Sequence, residues 1–371
     1  MKRLHTVFVR STSLPNGDKI FLLFIVLLIS IGLVMVYDSS VAIALRDFQD
    51  PYRFLREQGK WVVLGLGAFT VFSRIRHSVW QKIAVPMIMG TLLLLLAVFI
   101  PGLGVRALGA HRWLNLGFTV LQPAEIAKFT LTMYLSVWLS KREKGRLPAF
   151  LLLVFSLAGL VVLEPDLGTA SIIVGIAFTL YFLSGVSLRQ FFLLIPIGGI
   201  ILGMLAFTSP YRLQRIMTFL NPESDPLGSS YQIRQAIISL GSGGVFGVGL
   251  GKSRQKYEYL PEANTDSIFA ILGEEMGFIG SVTLIGLYVG LLSRIFSIAK
   301  HARSEQARLY VYGVGSWIGL QTLINLASMV ALFPLTGVPL PLISYGGSNL
   351  VITLSALGIV HNISRTSHEK S

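Results

Sequence analysis

The 371-residue chain reads as a series of apolar runs separated by shorter polar breaks. Ten runs stand out, near 20–37, 57–73, 83–100, 123–139, 148–163, 169–185, 188–207, 267–293, 309–331 and 348–364. A helix of roughly 20 residues crosses a hydrocarbon layer of about 30 Å. Lipid offers no partner to free backbone N–H and C=O groups, so each run is expected to be helical. The second run, short and rich in Gly, is the least regular. The pattern predicts an all-α polytopic membrane protein with about ten transmembrane helices, built as a single integral membrane domain over 1–371. Tails are expected at 1–19 and 365–371. The polar stretches lie at 38–56, 101–122, 208–266 and 332–347, and the largest of them, 208–266, falls between spans seven and eight.

Composition agrees with this pattern. The chain is 53% hydrophobic and 13% charged, with a mean hydropathy of +0.68, whereas soluble domains are about 25% charged. It contains no Cys, which excludes a disulfide framework, a thiolate nucleophile and cysteine-ligated metal. The six His residues are scattered without paired spacing, so no histidine metal site is expected. Lys2, Arg3 and Arg10 precede the first run, and Ala42-Ile43-Ala44 imitates a cleavage site. That run is longer than the apolar core of a secretion signal and many spans follow it, so it is read as a retained first helix.

Charge fixes the orientation. An even number of spans puts both termini on one side. The connections on that side are short and basic, as at 74–82, 141–146 and 294–308, and their acids are few. The positive-inside rule makes this side cytoplasmic. The net charge of +13 is then mostly a topology signal and needs no nucleic-acid partner. The long polar stretches face outward, and chemistry is expected there because loops carry function. No strong internal repeat is visible, which weighs against a transporter built from inverted repeats.

Several polar residues inside this apolar chain need explaining. In "QPAEIAKF" (122–129), Glu125 and Lys128 share one helix face at i and i+3. They form either a structural ion pair or the wall of a cavity. In "LEPDLGTA" (163–170), Asp166 is either the cap of span six or a residue that orients a site or binds a cation. The loop 208–266 brings Arg212, Arg215 and Arg234, and then a glycine-rich stretch ending in Lys252, Arg254 and Lys256. This stretch fails as a nucleotide-binding P-loop, because Phe246 stands where the first glycine belongs and no strand precedes it. Its free N–H groups and cations can still hold a lipid diphosphate, or simply meet anionic headgroups. Asp266, at the start of span eight, is either an N-cap with a lowered pKa or a partly desolvated base with a raised one. The last outward stretch, "LFPLTGVPLPLISYGGSN" (332–349), contains Ser344, three prolines and a Gly pair. It is expected to be a kinked or re-entrant wall.

Five stretches together resemble the SEDS family (shape, elongation, division and sporulation), typified by FtsW and RodA. They are "HRWLNLGFTVLQPAEIAK" (111–128), "EPDLGTA" (164–170), "YRLQRIMTFLNPESDPLGSSYQ" (211–232), "LGSGGVFGVGLGKSRQKYEYLPEANTDSIFAILGEEMGFIG" (240–280) and "GVPLPLISYGGSN" (337–349). The resemblance covers nearly the whole chain. It implies a peptidoglycan glycosyltransferase in the bacterial cytoplasmic membrane that polymerises lipid II on the outer face, with a class B penicillin-binding protein and other divisome or elongasome membrane proteins as partners. The family's essential aspartate falls on Asp266, its acid–base pair on Glu125 and Lys128, and its loop arginine on Arg112. Asp166, Arg212, Arg215, Arg234, Lys252 and Ser344 complete the expected substrate-binding set, without a ranking among the cations. The polyprenyl-diphosphate-linked glycan is the expected donor. Mg²⁺ or Mn²⁺ is the one cofactor weighed, as a partner for the diphosphate. Where the family usually has His and Phe around Thr-Asp, this chain has Asn264 and Ser267. "RQKYEYLPEA" and the 340–365 stretch are closer to the division type, FtsW, whereas "PESDPLG" is also common in the elongation type, RodA. A lipid II flippase is the competing reading.

Overall fold

The computed structural model describes residues 17–107, 110–115, 117, 119–141, 145–185, 196, 198, 210–221 and 230–367. Span seven and parts of both tails therefore lie outside the described residues. The described helices are α1 (Lys19–Phe48), α2 (Arg53–Arg74), α3 (His77–Ala97), α4 (Pro123–Leu139), α5 (Leu147–Leu163), α6 (Leu167–Leu183), α7 (Pro210–Leu220), α8 (Tyr231–Ser242), α9 (Ile268–Lys300), α10 (Glu305–Met329) and α11 (Gly347–Ser367). Three described helical stretches, 19–48, 79–97 and 268–300, are long and apolar enough by themselves to cross a bilayer, and α5 and α6 are shorter apolar helices.

Helices α4 and α10 form the centre. Ala124, Ala127, Leu131, Met133 and Leu135 of α4 are all buried, as are Leu309, Val314, Trp317 and Ile318 of α10. A helix buried on every face is one that neighbours surround. Here α4 packs against α3, α6, α10 and α11, and α10 packs against α6 and α9. Helix α2 lies along α11. Gly358 makes that contact possible, since a Cβ there would stand 2.6 Å from the Phe69 carbonyl oxygen. Small residues let helix backbones approach closely in lipid.

The structure corrects the all-α expectation. The polar stretch 101–122 holds a three-stranded antiparallel sheet of β1 (Gly104–Ala107), β2 (Ala110–Asn115) and β3 (Val120–Leu121), in the order β1-β2-β3. Val105, Trp113 and Val120 suit a pleated strand. The polar stretch 38–56 is also corrected. Helix α1 runs on to Phe48, because no Gly or Pro interrupts 38–48, and the Ser39 and Ser40 hydroxyls donate back to the Met35 and Tyr37 carbonyls. The large loop 208–266 contains two helices, α7 and α8.

Helix α9 is 33 residues long and breaks at Gly277, whose φ of 66° and ψ of −162° belong to a region open essentially to glycine alone. The glycine-rich loop fills the break. The Val248 and Gly249 N–H groups donate to the Glu274 and Glu275 carbonyls at 3.0 Å each, and Phe278 and Ile279 N–H donate to the Gly244 and Val245 carbonyls at 2.9 and 3.2 Å. These four bonds pair helix-end groups at the kink that would otherwise face lipid.

Candidate functional site

Asp266 sits in the last turn before α9. It does not cap the helix. Ser267 holds that position, and no side-chain cap bond is made. The segment that carries Asp266 is fastened from two sides. From α10, Asn325 Nδ2 donates to the Asp266 and Val338 carbonyls at 2.8 Å each. From the 332–346 stretch, Ser344 Oγ donates to the Thr265 carbonyl at 2.5 Å and accepts from Leu340 N–H at 2.8 Å, while Tyr345 N–H donates to the Asn264 carbonyl at 2.9 Å. The Ser344 hydroxyl is thus engaged in positioning backbone.

Asp266 is buried, with 8% of the residue exposed. Burial pushes its pKa up to about 7, with the nearby Glu262 carboxylate adding to the rise, while the Arg215 guanidinium and a Gln232 hydrogen bond oppose it. Gly337 lies beside the carboxyl, its Cβ position 3.9 Å from Oδ2. Arg215, on α7, donates to the Leu335 carbonyl at 2.7 Å, so the same 332–346 stretch meets both the acid and the cation. Gln232 of α8 donates to Ser267 Oγ at 3.0 Å, beside the acid.

Glu125 and Lys128 form a sealed pair. Lys128 Nζ lies 2.9 Å from Glu125 Oε2 and donates to Gln321 Oε1 at 2.8 Å, with the Trp317 ring 4.9 Å away. Asn349 Nδ2 donates to Glu125 Oε2 at 2.9 Å, and Gln321 Nε2 donates to the Pro339 carbonyl at 2.8 Å. The network therefore ties α4, α10 and α11 to the stretch that lies against Asp266. Both charged side chains are buried, and their partners satisfy them within the protein.

Asp166 caps α6, accepting from Thr169 N–H at 3.0 Å and Thr169 Oγ1 at 2.9 Å, and Gln122 Nε2 donates to it at 3.3 Å. Arg112 donates to the Glu164 carbonyl at 3.0 Å and to the Pro165 carbonyl, pinning the α5–α6 turn. This turn touches the site wall, because a Cβ on Gly168 would meet Thr336 and Val338. Glu164 is buried, and burial, followed by the Asp166 charge, raises its pKa to about 9 against the pull of Arg112. Arg234 and Lys252 are exposed on α8 and on the glycine-rich stretch. The Arg212 side chain lies outside the described residues.

One expectation is overturned. The N–H groups of the glycine-rich stretch are not free for a diphosphate. Gly251 and Ser253 N–H donate to Glu275 at 3.0 and 2.9 Å, and Arg254 N–H donates to Glu274 at 3.1 Å. Lys256 is likewise committed, with Nζ 2.8 Å from Asp38 and 3.0 Å from Glu275. The two glutamates of "GEEMG" take up the donors that the sequence offered to a ligand. Gln232, Gln321, Asn325 and Asn349 were not singled out from sequence. Gln321 and Asn325 carried a usable signal, being polar residues four apart in an otherwise apolar span. Among the described residues no group of three or more His, Cys, Asp or Glu can hold a metal ion.

A mostly helical membrane fold with a buried acid, Asp266, fastened between α10 and the 332–346 stretch defines a class of polytopic membrane proteins. Comparison with known proteins narrows it. The model of the cell cycle protein family FtsW/RodA/SpoVE matches residues 18–369. A probable peptidoglycan glycosyltransferase FtsW of Nitrosococcus halophilus is 44% identical over 358 residues, covering 94% of this chain and 92% of that protein. A protein of the same description from Thioalkalivibrio sulfidiphilus is 41% identical over 352 residues, covering 92% and 88%. A chain from a peptidoglycan synthase complex that coordinates polymerization and crosslinking superposes with a TM-score of 0.78 at 27% identity, over 95% of this chain and 99% of that one. The rod shape determining protein RodA of Thermus thermophilus superposes with a TM-score of 0.71 at 28% identity, over 95% and 98%. The chain belongs to the FtsW/RodA/SpoVE family.

Proposed function

We infer that this protein is a peptidoglycan glycosyltransferase of the division type, polymerising lipid II on the outer face of the cytoplasmic membrane. The observation that carries the reading is the Asp266 carboxyl. It is buried, tuned to about 7, and held by α10 and the 332–346 stretch. A base poised near the working pH is what proton abstraction from a sugar hydroxyl needs, and such help contributes about 10²–10⁴ in rate. Asp266 takes the proton of the acceptor's C4 hydroxyl as that oxygen attacks the donor's anomeric carbon. The bond from this carbon to the diphosphate breaks, and the diphosphate leaves with the electron pair. One displacement inverts an α-linked lipid to a β-linked polymer. Arg215, beside Asp266, stabilises the leaving charge, with Arg234, Lys252 and Arg212 as further cations along its path.

Relatives at 41% and 44% identity described as FtsW support the division role over the elongation role. The match to a peptidoglycan synthase complex supports a class B penicillin-binding protein as partner. The apolar pattern and charge bias support ten spans with both termini cytoplasmic and 208–266 outside. The test is purified protein, with and without the penicillin-binding partner, incubated with labelled lipid II. Long glycan chains are expected. Translocation of lipid II into liposomes without polymer would favour a flippase and overturn the reading.

A further inference from the structure

The loop after α8 exposes large apolar side chains at its tip, with Phe246 81% and Leu250 61% exposed and Val245 and Val248 beside them. Two helical rulers give its depth. At one end, Arg294 of α9 donates to Asp18, the N-cap of α1, at 2.9 and 2.5 Å, which sets a common level for both helices. Asp38 lies twenty residues up α1 and Gly277 seventeen residues back along α9, which at helical rise places them about 30 Å and about 26 Å from that level. At the other end the rulers meet again, because Lys256 Nζ bridges Asp38 and Glu275. The separation matches a hydrocarbon layer of about 30 Å. The loop tip, hydrogen-bonded across the Gly277 kink, therefore lies where the outer leaflet begins.

The path of the chain agrees. Helix α8 runs beside the first segment of α9 in the same direction. Gln232 bonds Ser267 at 3.0 Å, Ser239 donates to the Ala270 carbonyl at 2.8 Å, and Gly243 abuts the Gly273 carbonyl. The chain descends from the level of Asp266 to that of Gly277 and turns through 243–250. It returns past Asp38 and past Arg46, which pairs with Glu258. The kink pairs part of the turn's backbone, taking the Val248 and Gly249 N–H groups and the Gly244 and Val245 carbonyls out of reach of lipid. Its apolar tip is continuous with exposed Phe278, Ile279 and Val282 on the lipid-facing side of α9, and exposed Lys252 and Arg254 follow on the returning strand.

We propose that residues 231–256 form a re-entrant hairpin whose tip, Val245 to Leu250, inserts among the acyl chains of the outer leaflet. The insertion fixes the depth of α8, and with it Gln232 beside Asp266, relative to the leaflet. The inference goes beyond the glycosyltransferase reading and does not depend on it.

The chain has no native Cys, so single substitutions can carry a nitroxide label without background. Phe246→Cys and Leu250→Cys are labelled in the full chain and reconstituted in phosphatidylglycerol–phosphatidylethanolamine vesicles. Val289→Cys, on α9, and Tyr259→Cys, above the surface, serve as references. Collision rates with oxygen and with a water-soluble nickel chelate are compared, and thermal unfolding confirms that each labelled protein is folded. Labels at 246 and 250 are expected to collide with oxygen in preference to the chelate, between the two references. Chelate collision equal to that at 259 would overturn the proposal. So would a label shielded from both reagents, which would mean that a second copy of the chain covers the tip. Polymerisation activity plays no part in this readout, so failure here leaves the enzyme assignment untouched.

Discussion

The Asn325 side-chain amide donates to the Asp266 carbonyl at 2.8 Å, joining the acid to helix α10 across 59 residues of chain. The same amide nitrogen holds the Val338 carbonyl at 2.8 Å. One side chain therefore sets the distance between the acid and the wall opposite it. Asn325→Leu leaves both buried carbonyls without that partner, at a cost of about 1–3 kcal/mol each by the usual range for unmet buried groups. The variant is expected to lower the unfolding temperature in detergent and to slow polymerisation further than the stability loss explains. Wild-type turnover in this variant would show that Asp266 is held by other means.

The raised pKa of Asp266 gives a pH dependence with a definite sign. The base works only when deprotonated, so the rate should fall as pH drops through about 7. Glu262→Gln removes a like charge and should move that limb to lower pH. Arg215→Gln removes an opposing charge and should move it upward. Opposite shifts in the two pH–rate profiles check the assignment, and coincident profiles would contradict it.

The Glu125–Lys128 pair predicts a non-additive cycle. Breaking one side of a buried pair leaves an uncompensated charge and costs about 3–5 kcal/mol, whereas replacing both partners costs far less. Glu125→Gln and Lys128→Met should each destabilise strongly in thermal unfolding, and the double variant should recover most of the loss. Polymerisation should track stability across the set, because both charges are satisfied within the protein.

Gly277 and Gly286 lie on one helix and predict opposite outcomes. A Cβ on Gly277 would stand 2.3 Å from the Gly247 nitrogen at a φ of 66°, while Gly286 has open space around it. Gly277→Ala should cost at least the 1–3 kcal/mol or so of such a strained residue. Gly286→Ala should be neutral or slightly stabilising. Equal unfolding temperatures for the two would mean that the kink is not as described.

Much of this fold is legible in the sequence, because a lipid-facing helix announces itself by an unbroken apolar run. Helices α4, α5, α6, α10 and α11 begin and end within a few residues of the expected runs. The sequence places the end of the first span at Tyr37 because Asp38 reads as the start of a polar loop, and only its pairing with Lys256, 218 residues away, explains an acid inside a helix. The small sheet escaped notice because its strands are no longer than six residues. At the site, Asp266 and the Glu125–Lys128 pair are legible as charges beside or within apolar runs, whereas nothing in the sequence ranks Arg215 above the other cations of its polar loop. Of the polar residues that hold them, Gln321 and Asn325 leave a trace as polar positions in an apolar run, whereas Asn349 does not, since its partner Glu125 is 224 residues away. The glycine-rich stretch misled for the same reason, because Glu274 and Glu275 claim its N–H groups from inside a helix.

Replacement of Asp266 itself tests the account most directly. A carboxyl whose folded pKa is raised from 3.8 to about 7 favours the folded state at low pH and loses that contribution as pH rises through this window. Asp266→Asn, which has no charge to bury, should therefore remain folded and at neutral pH be at least as stable as the parent. Purified Asp266→Asn, matched to wild type by unfolding temperature and incubated with labelled lipid II and the penicillin-binding partner, is expected to form no glycan polymer. Polymer of wild-type length and rate from that variant would contradict the claim that this carboxyl takes the acceptor's proton.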